Sequence, residues 1–173
     1  MSILPDVLAH DLDIIFCGTA PGTASARQKA YYAGPGNAFW PTLFSVGLVP
    51  VALQPREFAC VTRWKIGLTD LAKQAYGSDA KLSRAHFDVE RFQSVIDAYR
   101  PRIVAFTSKR AALEFAGHSV EYGLLHKGGS THFFVLPSPS GAARRYWSIE
   151  PWRELTRLRS SVCSGWTPLG RGE

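Results

Sequence analysis

The sequence predicts an α/β fold, a short and mostly parallel sheet covered by helices on both faces. Two observations carry this. Three short runs of apolar, β-branched and aromatic residues read as buried strands. Helical patterns lie between them, and that alternation implies right-handed crossovers joining parallel strands. The strands are Asp13–Cys17 ("DIIFC"), Arg102–Thr107 ("RIVAFT") and His132–Leu136 ("HFFVL"). A weaker fourth falls around Phe58–Thr62 or Lys65–Leu68. Phe39–Val46 reads as a short helix. Asp88–Tyr99 carries Val89, Phe92, Val95, Ile96 and Tyr99 on one 3.6-period face. Ser108 suits the N-cap of "KRAALEFAG", which closes on Gly117. Ile149–Val162 is a basic amphipathic final helix. One domain spans residues 1–160, and residues 161–173, rich in Ser and Gly, form a loosely ordered basic tail.

Composition removes several function classes. The chain has 173 residues, 46% of them apolar, which suits one globular domain. Its apolar runs are too short to cross a membrane. The N-terminus "MSILPDVLAHDLD" has no basic segment of a secretory signal, so a cytoplasmic protein is expected. Cys17, Cys60 and Cys163 are scattered and odd in number, against a disulfide framework. There is no CxxC pair and no HxxxH or HxH spacing, so no metal and no other cofactor is expected. A net charge of +6 favours a polyanionic partner, although many globular domains are mildly basic. Basic residues recur at Lys109-Arg110, Arg144-Arg145 and Arg153, Arg157, Arg159 and Arg171.

In open α/β sheets ligands bind beyond the carboxyl ends of the strands. Here those ends run into "GTAPGTASA", "SKRAA" and "PSPSGAARR", all small, polar or basic. They are expected to converge on one sheet edge. "GTAPG" (Gly18–Gly22) is a tight turn, neither GxGxxG nor a P-loop, and by itself serves equally as plain structure. "PSPSGAARR" (Pro137–Arg145) offers hydroxyls and arginines that suit phosphate oxygens, or is a solvated loop. "AYYAGPGNAFWP" (Ala30–Pro41) crowds four aromatic rings around Asn37. Tyr31 or Tyr32 offers a face for base stacking, and Asn37 carries the donor and acceptor that reading a base edge needs. Phe39 and Trp40 start the next helix and enter the core.

Four segments in order, "LPDVLAHDLDIIFCGTAPGTASA", "YYAGPGNAFWPTLFSVGL", "GLTDLA" and "VLPSPSGAAR", resemble the mismatch-specific uracil/thymine-DNA glycosylases, and more broadly the uracil-DNA glycosylase superfamily. The resemblance covers roughly the first 145 residues. It implies a three-layer α/β/α sandwich with a short, mostly parallel central sheet. It also implies a monomeric DNA-repair enzyme that everts a damaged base and hydrolyses its N-glycosidic bond. By that similarity Gly18, Thr19 and Ala20 wrap the base and the water, and Tyr32 stacks on the base. Ser25 faces the pocket, and Ser138 opens the second motif. Ser140, Gly141, Ala142, Ala143 and Arg144 match the loop that enters the helix, where Ala142 is a small plug. That plug implies little mismatch specificity and good activity on single strands. Lys109 and Arg110 suit phosphate contacts. No lysine is marked as a Schiff-base nucleophile, so an abasic site without strand cleavage is the expected product.

Ala20 departs from the resemblance, because close relatives place a water-orienting Asn or Asp there. Asn37 is the first candidate to replace it and Asp70, in "GLTDL", the second; a backbone-held water or an inactive protein remain open. The expected substrate is uracil in DNA, with other deaminated bases as further candidates. The alternatives are a DNA-damage binder using the same pocket and a nucleoside hydrolase.

Overall fold

The computed structural model describes residues 1–126 and 129–163. Five strands form one sheet: β1 (Ile14–Gly18), β2 (Ile66–Asp70), β3 (Ile103–Phe106), β4 (Gly123–His126) and β5 (His132–Val135). Their order is β2-β1-β3-β5-β4. β1 pairs in parallel with β2 and β3, and β3 with β5. Only β4 runs antiparallel, against β5. The five helices are α1 (Thr23–Gln28), α2 (Phe39–Ser45), α3 (Val89–Tyr99), α4 (Lys109–Ala116) and α5 (Glu150–Val162).

Alternation along the strands sorts the core into two layers. Ile14, Phe16, Ile103 and Ala105 face Phe39, Trp40 and Leu43 of α2 and Trp152 and Leu155 of α5. Cys17, Val104, Phe106 and Val135 face Phe92 and Ile96 of α3 and Ala111 and Ala112 of α4. β1, β2 and β3 are buried on both faces, which is why they read as continuous apolar runs. The three-layer α/β/α sandwich with a mostly parallel sheet is the fold that the sequence implied.

Most boundaries fall within one or two residues of the sequence reading. Asp88 caps α3 by accepting from the Arg91 N–H, and Ser108 caps α4 by accepting from the Ala111 N–H. Of the two options for the fourth strand, Lys65–Leu68 is the strand, as β2. Phe58–Thr62 lies in a 3-10 helix, Pro55–Trp64. α1 and β4 have no counterpart in the sequence reading. α5 continues to Val162, past the expected start of the tail, and residues 164–173 of that tail lie outside the described residues.

The end of α5 corrects one reading of charge. Arg159 is 1% exposed, not a solvated cation for DNA. Its guanidinium pairs with buried Asp13 at 3.0 Å and donates to the carbonyls of Leu48 and Trp64. It clamps α5 to the start of β1 and to the segments that follow α2 and precede β2.

Candidate active site

β1 lies between β2 and β3, so the chain reverses direction across the sheet beside it. The carboxyl ends meet there. Gly18 of β1 is in register with Asp70 of β2, and Thr107 follows β3 with its N–H on the Cys17 carbonyl. A cavity of about 510 Å³ opens at this edge. That volume suits a small organic ligand such as a nucleobase.

Each wall is held by its own local chemistry. The turn after β1 is tied to the turn after β2, since Leu71 and Ala72 donate N–H bonds to the carbonyls of Gly18 and Thr19. The Thr19 hydroxyl donates to Asp79 at 2.8 Å. Gly18 is needed for space, because a Cβ there would lie 2.8 Å from Asp70 Oδ1. Buried Ser25 accepts from the Ala33 N–H at 2.9 Å and so shapes the aromatic loop.

Within that loop Tyr31 packs into the core and, with Tyr32, borders the cavity. Tyr31 is 2% exposed and donates to the Pro5 carbonyl. Tyr32 holds a left-handed φ of 53°, rare for an aromatic residue. That strain is offset by its ring stacked on Phe39, centroids 3.8 Å apart, and by a 3.0 Å hydrogen bond with Thr107 Oγ1. Burial and the nearby Asp70 push the Tyr32 phenol well above its usual value, so it stays neutral. Asn37 uses Oδ1 to accept from the Phe39 N–H at 2.9 Å, which starts α2. Its side chain borders the cavity.

The second-motif loop docks on the aromatic loop. The Ala38 N–H donates to the Pro139 carbonyl at 2.8 Å. A Cβ on Gly141 would sit 2.7 Å from the Pro35 carbonyl oxygen, so only glycine permits this approach. Ser138 and Ser140 accept from the N–H groups of Ser140 and Ala142, leaving both hydroxyl protons available to donate.

Asp70 stands at the deep end, beside Gly18, Thr107 and the Tyr32 hydroxyl. It is 3% exposed, and its Oδ2 has no hydrogen-bond partner among the described residues. The nearest cations serve another acid: Lys73 and Arg91 each pair with Asp6 at 2.7 Å. Burial therefore dominates and pushes the Asp70 carboxyl up to about 7.

Gly18, Thr19, Ala20, Ser25, Tyr32, Asn37, Asp70, Ser138, Ser140, Ala142 and Ala143 all line one cavity, as the convergence of the three loops requires. Gly141 and Arg144 stand just behind it, with the Arg144 guanidinium over Gly36. Lys109 and Arg110 do not line it. Lys109 pairs with Glu121 and lies over the Tyr122 ring. Arg110 pairs with Glu114, donates to the carbonyls of Asp79 and Leu82, and covers the Phe87 ring. It braces α4 against the segment before α3.

The sequence reading missed Thr107, the last residue of a recognised strand run, and Tyr146, which lines the cavity mouth at 63% exposure. It also missed Asp6, whose role depends on pairing with residues 67 and 85 positions away.

A mostly parallel sheet covered on both faces, with a crevice at the carboxyl ends of β1, β2 and β3, defines an α/β protein of the class that binds its ligand at the strand ends. The chain belongs to the uracil DNA glycosylase superfamily, whose family model matches residues 5–158. That membership supports DNA glycosylase activity. The fold is also similar to the solution NMR structure of a "putative Uracil DNA glycosylase" from Methanosarcina acetivorans. The two share 23% identity at a TM-score of 0.64, over 91% of this chain and 96% of that one.

Proposed function

We propose that the protein is a monofunctional DNA glycosylase that hydrolyses the N-glycosidic bond of uracil, and of other deaminated bases, leaving an abasic site. One observation carries this: three strand-end loops close around a single cavity of about 510 Å³, with Tyr32, Asn37 and Asp70 in its wall. The base enters toward Asp70 and lies along Tyr32. The sugar stays near the mouth, where Asn37 and the Ser138 loop stand. As the C1′–N bond lengthens, positive charge grows on the sugar and negative charge on the base. Asn37 holds the attacking water near the sugar, in place of the side chain that Ala20 lacks. Ala142 is too small to fill the gap left by an everted base. Tyr146, exposed one helical turn further on, has the size to fill it. Exposed Arg144 and Arg145 flank that point and meet the phosphates.

The test is incubation with a uracil-containing oligonucleotide, in single and double strands, followed by heating in alkali. Strand breaks at uracil are expected. Binding without breaks would instead identify a damage binder. Turnover of free nucleosides without oligonucleotide binding would identify a nucleoside hydrolase. Parallel oligonucleotides carrying hypoxanthine or xanthine define the substrate range.

A further inference from the structure

Asp70 lines the cavity that receives the base, and its Oδ2, turned away from solvent, has no partner among the described residues. We infer that Asp70 acts as a neutral carboxyl group, donating a hydrogen bond from its cavity-facing oxygen, Oδ1, to an acceptor atom of the everted base and holding the negative charge that the base carries as it departs. The inference rests on the glycosylase reading and assigns that site its leaving-group donor.

The surroundings favour the neutral form below about pH 7. Asp6, in the N-terminal segment, draws Lys73, which follows β2, and Arg91 of α3 into its own ion pairs. The Arg91 guanidinium also donates to the Asp70 main-chain carbonyl at 2.7 Å, not to its carboxyl group. The other titratable groups that feel the carboxyl are the buried thiol of Cys17 on β1 and the phenols of Tyr31 and Tyr32 in the aromatic loop, none of them cationic. Thr107 adds a hydroxyl that already serves Tyr32. Burial raises the carboxyl to about 7, and the charge of Asp6 adds to the rise.

An ionised Asp70 would repel the departing base anion, whereas the neutral acid stabilises it. In the reaction the C1′–N bond breaks and its electron pair goes to the base. Water forms the C1′–O bond and releases one proton to solvent. The base gains one proton from solvent when it leaves, and the Asp70 proton stays on the carboxyl group. The same group acting instead as a base toward water would need to be ionised. The two roles therefore predict opposite slopes with pH.

The experiment measures single-turnover base release from uracil DNA at saturating enzyme between pH 6 and 8.5. The wild-type rate is expected to fall about tenfold per unit above the Asp70 value, about 30-fold across the range. Asp70→Asn keeps a neutral donor and loses the titration. It should be slower at pH 6 and vary by no more than about threefold across the range. Asp6→Asn frees Lys73 and Arg91 to favour the ionised form, so the falling limb should move about one unit lower. Melting temperature gives a readout without substrate: Asp70→Asn should stabilise the fold more at pH 8 than at pH 5, because only near pH 8 does the wild type bury a full charge. A wild-type rate that rises or stays level above pH 7 overturns the inference, as does loss of release at every pH in Asp70→Asn. Either result leaves the glycosylase reading standing. If the wild type releases no uracil, hypoxanthine or xanthine, the glycosylase reading itself fails.

Discussion

Asn37 has one duty that the structure shows and one that is proposed, and substitution separates them. Its Oδ1 accepts from the Phe39 N–H at 2.9 Å and sets the start of α2. The remaining amide capacity borders the cavity and is assigned to water. Asn37→Ala removes both. Loss of one hydrogen bond at a helix start costs about 1 kcal/mol. For a chain of this size that lowers the melting temperature by about 3 °C. Loss of one positioned polar group costs about 100- to 1,000-fold in turnover, or about 3–4 kcal/mol. The second effect far exceeds the first, so the folded fraction stays near one while activity collapses. Asn37→Ser is the control, because its hydroxyl can accept from the same N–H, though more weakly. It should recover part of the loss of about 3 °C and little of the turnover. The assay is single-turnover uracil release alongside thermal melting. Full turnover in either variant would show that Asn37 does not hold the water. Recovery of turnover in step with melting temperature in Asn37→Ser would reduce the residue to a turn former.

Arg159→Ala leaves buried Asp13 with Arg102 alone, at 3.4 Å, and should destabilise the protein by about 3 kcal/mol, read by denaturant or thermal unfolding. A loss below about 1 kcal/mol would mean that the clamp is redundant. Tyr146→Ala should slow release from double strands far more than from single strands, since only a duplex leaves a gap to fill; equal slowing would remove its wedge role. Arg144→Ala should weaken DNA binding and lower the salt dependence by about one charge in a salt titration of affinity. An unchanged slope would place that guanidinium off the phosphates.

The buried parts of the fold were legible because burial writes itself into composition. β1 and β3 are covered on both faces, so the stretches "IIFC" and "IVAF" within them carry no polar or charged interruption beyond a buried cysteine. β4 was not legible. "GLLH" is an edge strand of four residues, with Leu124 38% exposed, and its place is fixed by pairing with β5. The cavity walls were legible through the rule that strand ends hold ligands. Side-chain commitments were not. Arg110, Arg144 and Arg159 look alike in sequence, yet one braces a helix, one lies over Gly36 and one is buried on Asp13. Partners decide among those roles, and partners are distant in sequence.

Ala20 left an inactive protein open, and the arrangement of loops argues against that. A side chain at position 20 is one way to hold water near the sugar, and a neighbouring loop is another. The loop bearing Asn37 is fixed to the second-motif loop by the Ala38–Pro139 hydrogen bond and by the close approach of Gly141 to Pro35. The two loops therefore place Asn37 and Ser138 as one unit, independent of the turn after β1. That turn then contributes only backbone and space, with Gly18 admitting the Asp70 carboxyl group. The short side chain of Ala20 withholds nothing that the other two loops do not supply, whereas Gly18→Ala would press on Asp70 and disturb the deep end of the cavity. The asymmetry follows from where each side chain would point its atoms, and under the proposed function it leaves the chemistry to Asn37, Ser138 and Asp70 rather than to Ala20.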